Sequence, residues 1–250
     1  MKRIGKILLP LLFWLGAWQL AASAVGQDLL LPGPAAVGSR LLALAATAPF
    51  WQTALASLGR ILGGLLLGVL AGTLLAGLAA AVPLLDWLLT PAVKVVRATP
   101  VASFILLVYL WVARGQVPGL ISALRVLPVV WGNVTRGIAE TDPQLLELAR
   151  AYGFGRGKTL VLVYAPSVLP YFASGCRTAL GLAWKAGVAA EVLCQPQNAI
   201  GTQIYNTKFY LETPSLFAWT LVVLALSFLL EWAVGGLLKR LEGPEGRKSA

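Results

Sequence analysis

Apolar residues fall in long unbroken runs along this chain. Residues 7–27, 61–85, 98–113, 159–176 and 213–230 carry no charged side chain. A hydrocarbon core about 30 Å thick needs about 20 apolar residues at a helical rise of about 1.5 Å each. The longer runs reach or nearly reach that length, and the shorter ones extend if a polar residue lies at each end. A sixth candidate, residues 117–138, is apolar except for Arg125, Arg136 and a few uncharged polar residues. Continuous runs favour helices over the alternating strands of a barrel. The pattern predicts an all-α integral membrane protein of about six spans. Residues 27–51 hold Leu31-Pro32-Gly33-Pro34 and then Leu41, Leu42 and Leu44, which predicts an outer loop with a short interfacial helix. The expected divisions are a membrane helix over 1–26, a membrane domain over 27–241 and a cytoplasmic tail over 242–250.

Composition removes the competing classes. Hydrophobic residues make up 58 % of the chain and charged residues 12 %, with a mean hydropathy of +0.78. A soluble domain carries about 25 % charged residues to wet its surface. The excess of apolar surface also excludes a disordered chain. Two cysteines in 250 residues exclude a disulfide scaffold. Cys176 and Cys194, if on one helix, would lie about 27 Å apart, too far to bond, so both read as small packed residues. There is no histidine, hence no imidazole metal site and no histidine base for a cysteine nucleophile.

The net charge of +10 is an orientation signal rather than a nucleic-acid signal. With six spans and both ends cytoplasmic, the inner segments hold Lys2, Arg3, Lys6, Lys94, Arg97, Arg136, Arg150, Arg156, Lys158, Lys239, Arg240, Arg247 and Lys248. The outer segments hold only Arg40, Arg60, Arg114 and Lys208. The positive-inside rule selects this topology. Ala22-Ser23-Ala24 has the small-x-small form of a signal cleavage site. The preceding run is long for a signal core and holds the bulky Trp14 and Trp18, so a retained first helix is expected.

Residues 140–170 carry the local chemistry. Asp142 suits a helix N-cap and Pro143 the first turn. Leu145, Leu148, Ala149 and Tyr152 then recur at three-to-four spacing, with Glu147 and Arg150 at polar positions. Gly153 follows the last periodic residue, where a left-handed C′ residue belongs. The result is an amphipathic helix of about ten residues, too short to stand alone in water. It must dock against something. Pro166 and Pro170 each remove a backbone donor and predict a bend at the start of the fifth span.

Glu147-Leu148-Ala149, three residues, Gly153, nine residues, Val163, one residue and Ala165-Pro166 resemble the EAA motif of ABC-importer permeases, E-A-A-x3-G-x9-I-x-L-P. Leu148, Val163 and Ala165 are apolar replacements within intact spacing. Leu31-Pro32-Gly33-Pro34, Ser57-Leu58-Gly59-Arg60, Arg97-Ala98-Thr99-Pro100, Gly181-Leu182-Ala183-Trp184 and Glu191 further resemble the nitrate/sulfonate/taurine branch of that family. The resemblance implies a bacterial inner-membrane permease whose short cytoplasmic helix couples to an ATPase through Leu145, Glu147, Leu148, Ala149, Tyr152, Gly153 and Pro166. It implies two ATPase subunits that hold ATP and Mg, a second permease copy, and an extracytoplasmic solute-binding protein contacting residues 31–50 and 196–210. This chain itself is expected to bind no cofactor and break no bond.

Other patterns are weaker. The stretch from Gly153 to Thr159 resembles a phosphate-binding loop, but that loop needs glycine at Tyr152 and a preceding strand. Gly64, Gly68 and Gly72 share one helix face and permit close packing, either within the subunit or across a dimer. Arg125, Arg177, Lys185 and Glu191 fall within spans, where charge is costly and usually faces a cavity or a partner. The three bases are candidates for a pathway biased toward an anionic or polar solute. An ion-coupled carrier or channel would require deep acidic residues and broken helices at an ion site; only Glu191 and Glu231 are candidates. A membrane enzyme would require a polar cluster that the sequence lacks.

Overall fold

The computed structural model describes residues 2–241, and among them there is no strand. The predicted tail 242–250, with Arg247 and Lys248, lies outside the described residues, as do the side chains of Lys2, Arg3, Lys6 and Lys239. Among the described residues, eleven α-helices and one π turn follow in order: α1 Lys2–Val25, α2 Pro34–Ala45, α3 Ala48–Ala81, α4 Pro83–Ala98, α5 Val101–Tyr109, α6 Val117–Ala139, α7 Pro143–Ala151, α8 Arg156–Thr159, the π turn Leu160–Tyr164, α9 Ala165–Cys194, α10 Ile200–Phe209 and α11 Thr213–Leu241. Among the described residues five stretches are long and apolar enough to cross a bilayer: Leu8–Val25, Ala48–Ala81, Val117–Ala139, Arg156–Cys194 and Thr213–Leu238. The expected interfacial helix is α2, entered through Pro34 in its first turn.

The run over 98–113 behaves differently from the expected single span. Its helical part, α5, is only nine residues long. It pairs with α4 across a bend of 106°. The break has a local cause. The ring of Pro100 pushes Thr99 out of the α region, to φ −69° and ψ 129°. Thr99 Oγ1 donates back to Val95 O at 2.8 Å and closes the end of α4. Length and composition give five spans among the described residues, and six where this bent pair counts as one; the alternative for the pair is a re-entrant loop.

The described chain divides into two compact units that interleave in sequence. In the first, residues 1–57 and 191–226, Trp18 stacks on Phe217 at 5.9 Å and Phe50 on Trp219 at 5.1 Å. Trp18 Nε1 also donates to Pro32 O at 3.0 Å. Arg40 pairs with Glu212 at 3.2 Å and donates to Ser215 Oγ at 2.7 Å.

In the second unit, residues 58–190 and 227–241 of the described chain, the glycine stripe of α3 packs on α6. A Cβ at Gly64 would stand 2.0 Å from Gly119 O, at Gly68 2.6 Å from Ala123 O, and at Gly72 2.9 Å from Leu127 O. Of the two roles open to this stripe, packing within the subunit is the observed one. Lipid gives apolar side chains little reason to cluster, so close backbone approach supplies the dispersion contact that holds such helices together. Cys176 is buried beside Ala173 and Leu238, and Cys194 is buried too; both are free thiols.

Candidate functional site

The short helix α7 is built by local signals at both ends. Asp142 accepts from Gln144 N at 2.8 Å through its side chain, and Pro143 opens the helix. At the other end Gly153 adopts φ +66°, a conformation costly to any residue with a Cβ. Phe154 N then donates to Ala149 O at 2.8 Å and Gly153 N to Arg150 O at 3.0 Å. These paired bonds form the Schellman stop and satisfy carbonyls the helix would leave open.

The apolar face of α7 is only partly covered. Ala149 is buried, whereas Leu145, Leu148 and Tyr152 are 44 %, 54 % and 73 % exposed. These four line a groove of about 360 Å³ together with Phe154, Leu162 and Val163. Glu147 is exposed on the same helix, outside the groove. Pro166 sits in the first turn of α9, directly after the π turn. Its missing N–H leaves the ordinary ladder broken, and the widened turn answers it, with Ala165 N donating to Leu160 O, five residues back. Where the prolines predict a bend, the helix carries this π turn. Phe154 and Leu162 join the groove without having been expected there. Phe154 was open to prediction, because a hydrophobic residue at C″ commonly accompanies the Schellman stop.

The in-span charges do not converge. Arg125 lines a cavity of about 250 Å³ whose wall also includes Arg97, Asn133 and Thr178. Arg177 lines a different cavity of about 250 Å³ shared with Glu231. Lys185 is exposed. Glu191 is fully buried. Its Oε2 accepts from Ser57 Oγ at 2.9 Å and from Gly201 N at 3.1 Å, and Ser57 Oγ in turn accepts from Ile200 N at 2.9 Å. These are the first amides of α10, a helix whose own N-cap Ala199 has no side-chain acceptor. Glu191 and Ser57 serve as its remote cap. Among the described residues no cluster of histidine, cysteine and carboxylate side chains is arranged to hold a metal.

Residues 64–243 match the family described as binding-protein-dependent transport system inner membrane component. The chain belongs to this family. The permease is similar to the taurine transport system permease protein TauC of Escherichia coli, with 28 % identity over 95 % of this chain and 87 % of that protein. It is also similar to the riboflavin transport system permease protein RibX of Chloroflexus aurantiacus, with 30 % identity over 90 % and 84 %. The crystal structure of an amino acid ABC transporter with histidines aligns over 74 % of this chain and 89 % of that one, at a TM-score of 0.59 and 17 % identity. That likeness is one of fold. The permease is thus a multi-pass inner-membrane subunit of an ABC importer, in the nitrate/sulfonate/taurine branch. The match is to importer permeases, not to ion-coupled carriers or channels.

Proposed function

We propose that the permease passes a small anionic or polar solute across the membrane while α7 seats in a cytoplasmic ATPase. Two permease copies enclose the route, two ATPase subunits bind ATP and Mg below, and an extracytoplasmic binding protein delivers solute to the outer segments 31–50 and 196–210. Both chain ends face the cytoplasm. The observation that carries the reading is the exposed groove formed by Leu145, Leu148 and Tyr152 on a doubly capped helix. Exposed leucines at that spacing need a partner, and α7 is tied at each end to a membrane span. Rigid-body rotation of an engaged partner can therefore be transmitted to α6 and α9. The relatives' taurine and riboflavin point to small organic solutes.

Replacing Gly153 tests the coupling. A Cβ at Gly153 would meet nothing within 4 Å, so the constraint on this residue is its φ of +66° and not a lack of space. Gly153→Val should destabilise the stop by about 1–2 kcal/mol and weaken co-purification of the ATPase, whereas Gly153→Asn should keep most of it. Equal retention of the ATPase and of uptake in both variants would argue against the docking surface.

Sidedness is tested by Leu148→Cys. Both native cysteines are buried, so a membrane-impermeant maleimide should label only the new thiol. Labelling is expected in inside-out vesicles and should be blocked by added ATPase. Labelling in intact cells would place α7 on the wrong side.

A further inference from the structure

Two arginines share one wall of unit 2 with no acid to balance them. Arg97 lies in the last turn of α4, and Arg125 lies midway along α6. Both line the cavity of about 250 Å³ that also holds Asn133, Thr178 and the apolar Pro128 and Leu182. No carboxyl group is among its lining residues. Among the described residues neither Arg97 nor Arg125 forms an ion pair. The contrast with Arg177 is direct, because the Arg177 cavity contains Glu231.

A guanidinium stays protonated in proteins and presents a planar fork of donors. Two of them beside one small, partly apolar space repel each other, and an anion between them removes that cost. Asn133 adds an amide with two N–H groups, one of which donates to Val129 O at 2.8 Å. Thr178 closes the wall, with its hydroxyl turned back to Ser174 O at 3.2 Å. Bidentate donors matched to a compact oxyanion are the chemistry that arginine pairs recognise.

We propose that the Arg97–Arg125 cavity is a subsite for a small oxyanion group, a sulfonate or nitrate, on the transport route. The proposal rests on the permease reading and narrows its solute to one bearing such a group. Arg97 thereby takes a place in the pathway that its count among orientation charges had hidden.

The test uses the full chain with its co-purified ATPase in phosphatidylcholine nanodiscs, with radiolabelled methanesulfonate as the probe. Saturable binding is expected, displaced by nitrate and taurine but not by neutral riboflavin. Arg97→Gln and Arg125→Gln should each weaken it about tenfold or more, as loss of a charged hydrogen-bond donor requires, while Arg125→Lys, which keeps the charge but loses the planar fork, should fall between wild type and Arg125→Gln. The proposal is overturned by wild-type protein that does not bind saturably, by Gln variants that bind like wild type, or by equal loss in Arg125→Lys and Arg125→Gln. It is also overturned if phosphatidylglycerol in the nanodisc displaces the probe, which would assign the pair to a lipid headgroup. Binding is read whether or not the ATPase accompanies the wild-type chain; its absence would count against the permease reading alone.

Discussion

Gly64→Ala, one added methyl group, should strongly destabilise the permease. The methyl would stand 2.0 Å from Gly119 O and 2.8 Å from Gly119 C, so it meets backbone and not the tip of a flexible side chain. Neither helix can yield locally. α3 is continuous over Ala48–Ala81, and α6 is continuous over Val117–Ala139. Relief requires moving whole helices apart, which strips contact along the stripe down to Gly72. Overpacking of this kind costs about 1–3 kcal/mol even where side chains can adjust; here the upper end or beyond is expected. The control is the preceding residue. A Cβ at Gly63 meets nothing within 4 Å, and alanine gains about 1 kcal/mol of helix propensity over glycine. Thermal unfolding in detergent, followed by size-exclusion, should show Gly63→Ala at or above wild type and Gly64→Ala far below it. Gly68→Ala and Gly72→Ala should fall between, in the order of their contacts at 2.6 and 2.9 Å. Equal midpoints for Gly63→Ala and Gly64→Ala would remove the packing account.

What the sequence disclosed was what short-range rules control. Asp142, Pro143 and Gly153 act on amides and carbonyls within a few residues of themselves, so α7 was readable in place, extent and capping. Pro166 announced a break in the ladder because a missing donor is a local fact, although it did not specify that a π turn would answer it. The shape of the run over 98–113 was not legible, for the opposite reason. Hydropathy over 98–113 records solvent preference and carries no direction, while the turn of 106° is set by Thr99 and Pro100 within that same run. The in-span charges were less legible still. Glu191 reads as a pathway acid when only spacing along α9 is considered. Its hydrogen-bond partners include Ser57, 134 residues away, and the turn into α10. Arg97 reads as an inner-face charge until α4, packed on α6, brings it to the cavity that Arg125 lines.

Glu191→Leu is expected to be the most damaging change in the first unit, and for a structural reason. The leucine matches the glutamate roughly in size but accepts no hydrogen bond. The Ser57 hydroxyl and Gly201 N would lose their shared acceptor inside a fully buried site. Each buried donor left unmet costs about 1–3 kcal/mol, so a loss of about 2–6 kcal/mol is expected for the pair, provided no water replaces the carboxyl oxygen. Damage should spread to α10, because Ile200 N is held by the same Ser57 oxygen that Glu191 orients. Glu191→Gln keeps one side-chain oxygen as an acceptor and should lose much less. Ser57→Ala removes the bridge to Ile200 but leaves the Gly201 bond, so it should lie between the two. Hydrogen exchange resolves this pattern better than a global midpoint. The amides of Ile200 and Gly201 should exchange far faster in Glu191→Leu, while those of α7 in the other unit stay as protected as in wild type. A pathway role without a capping role predicts the reverse outcome: Glu191→Leu folds normally, keeps α10 protected, and loses only uptake.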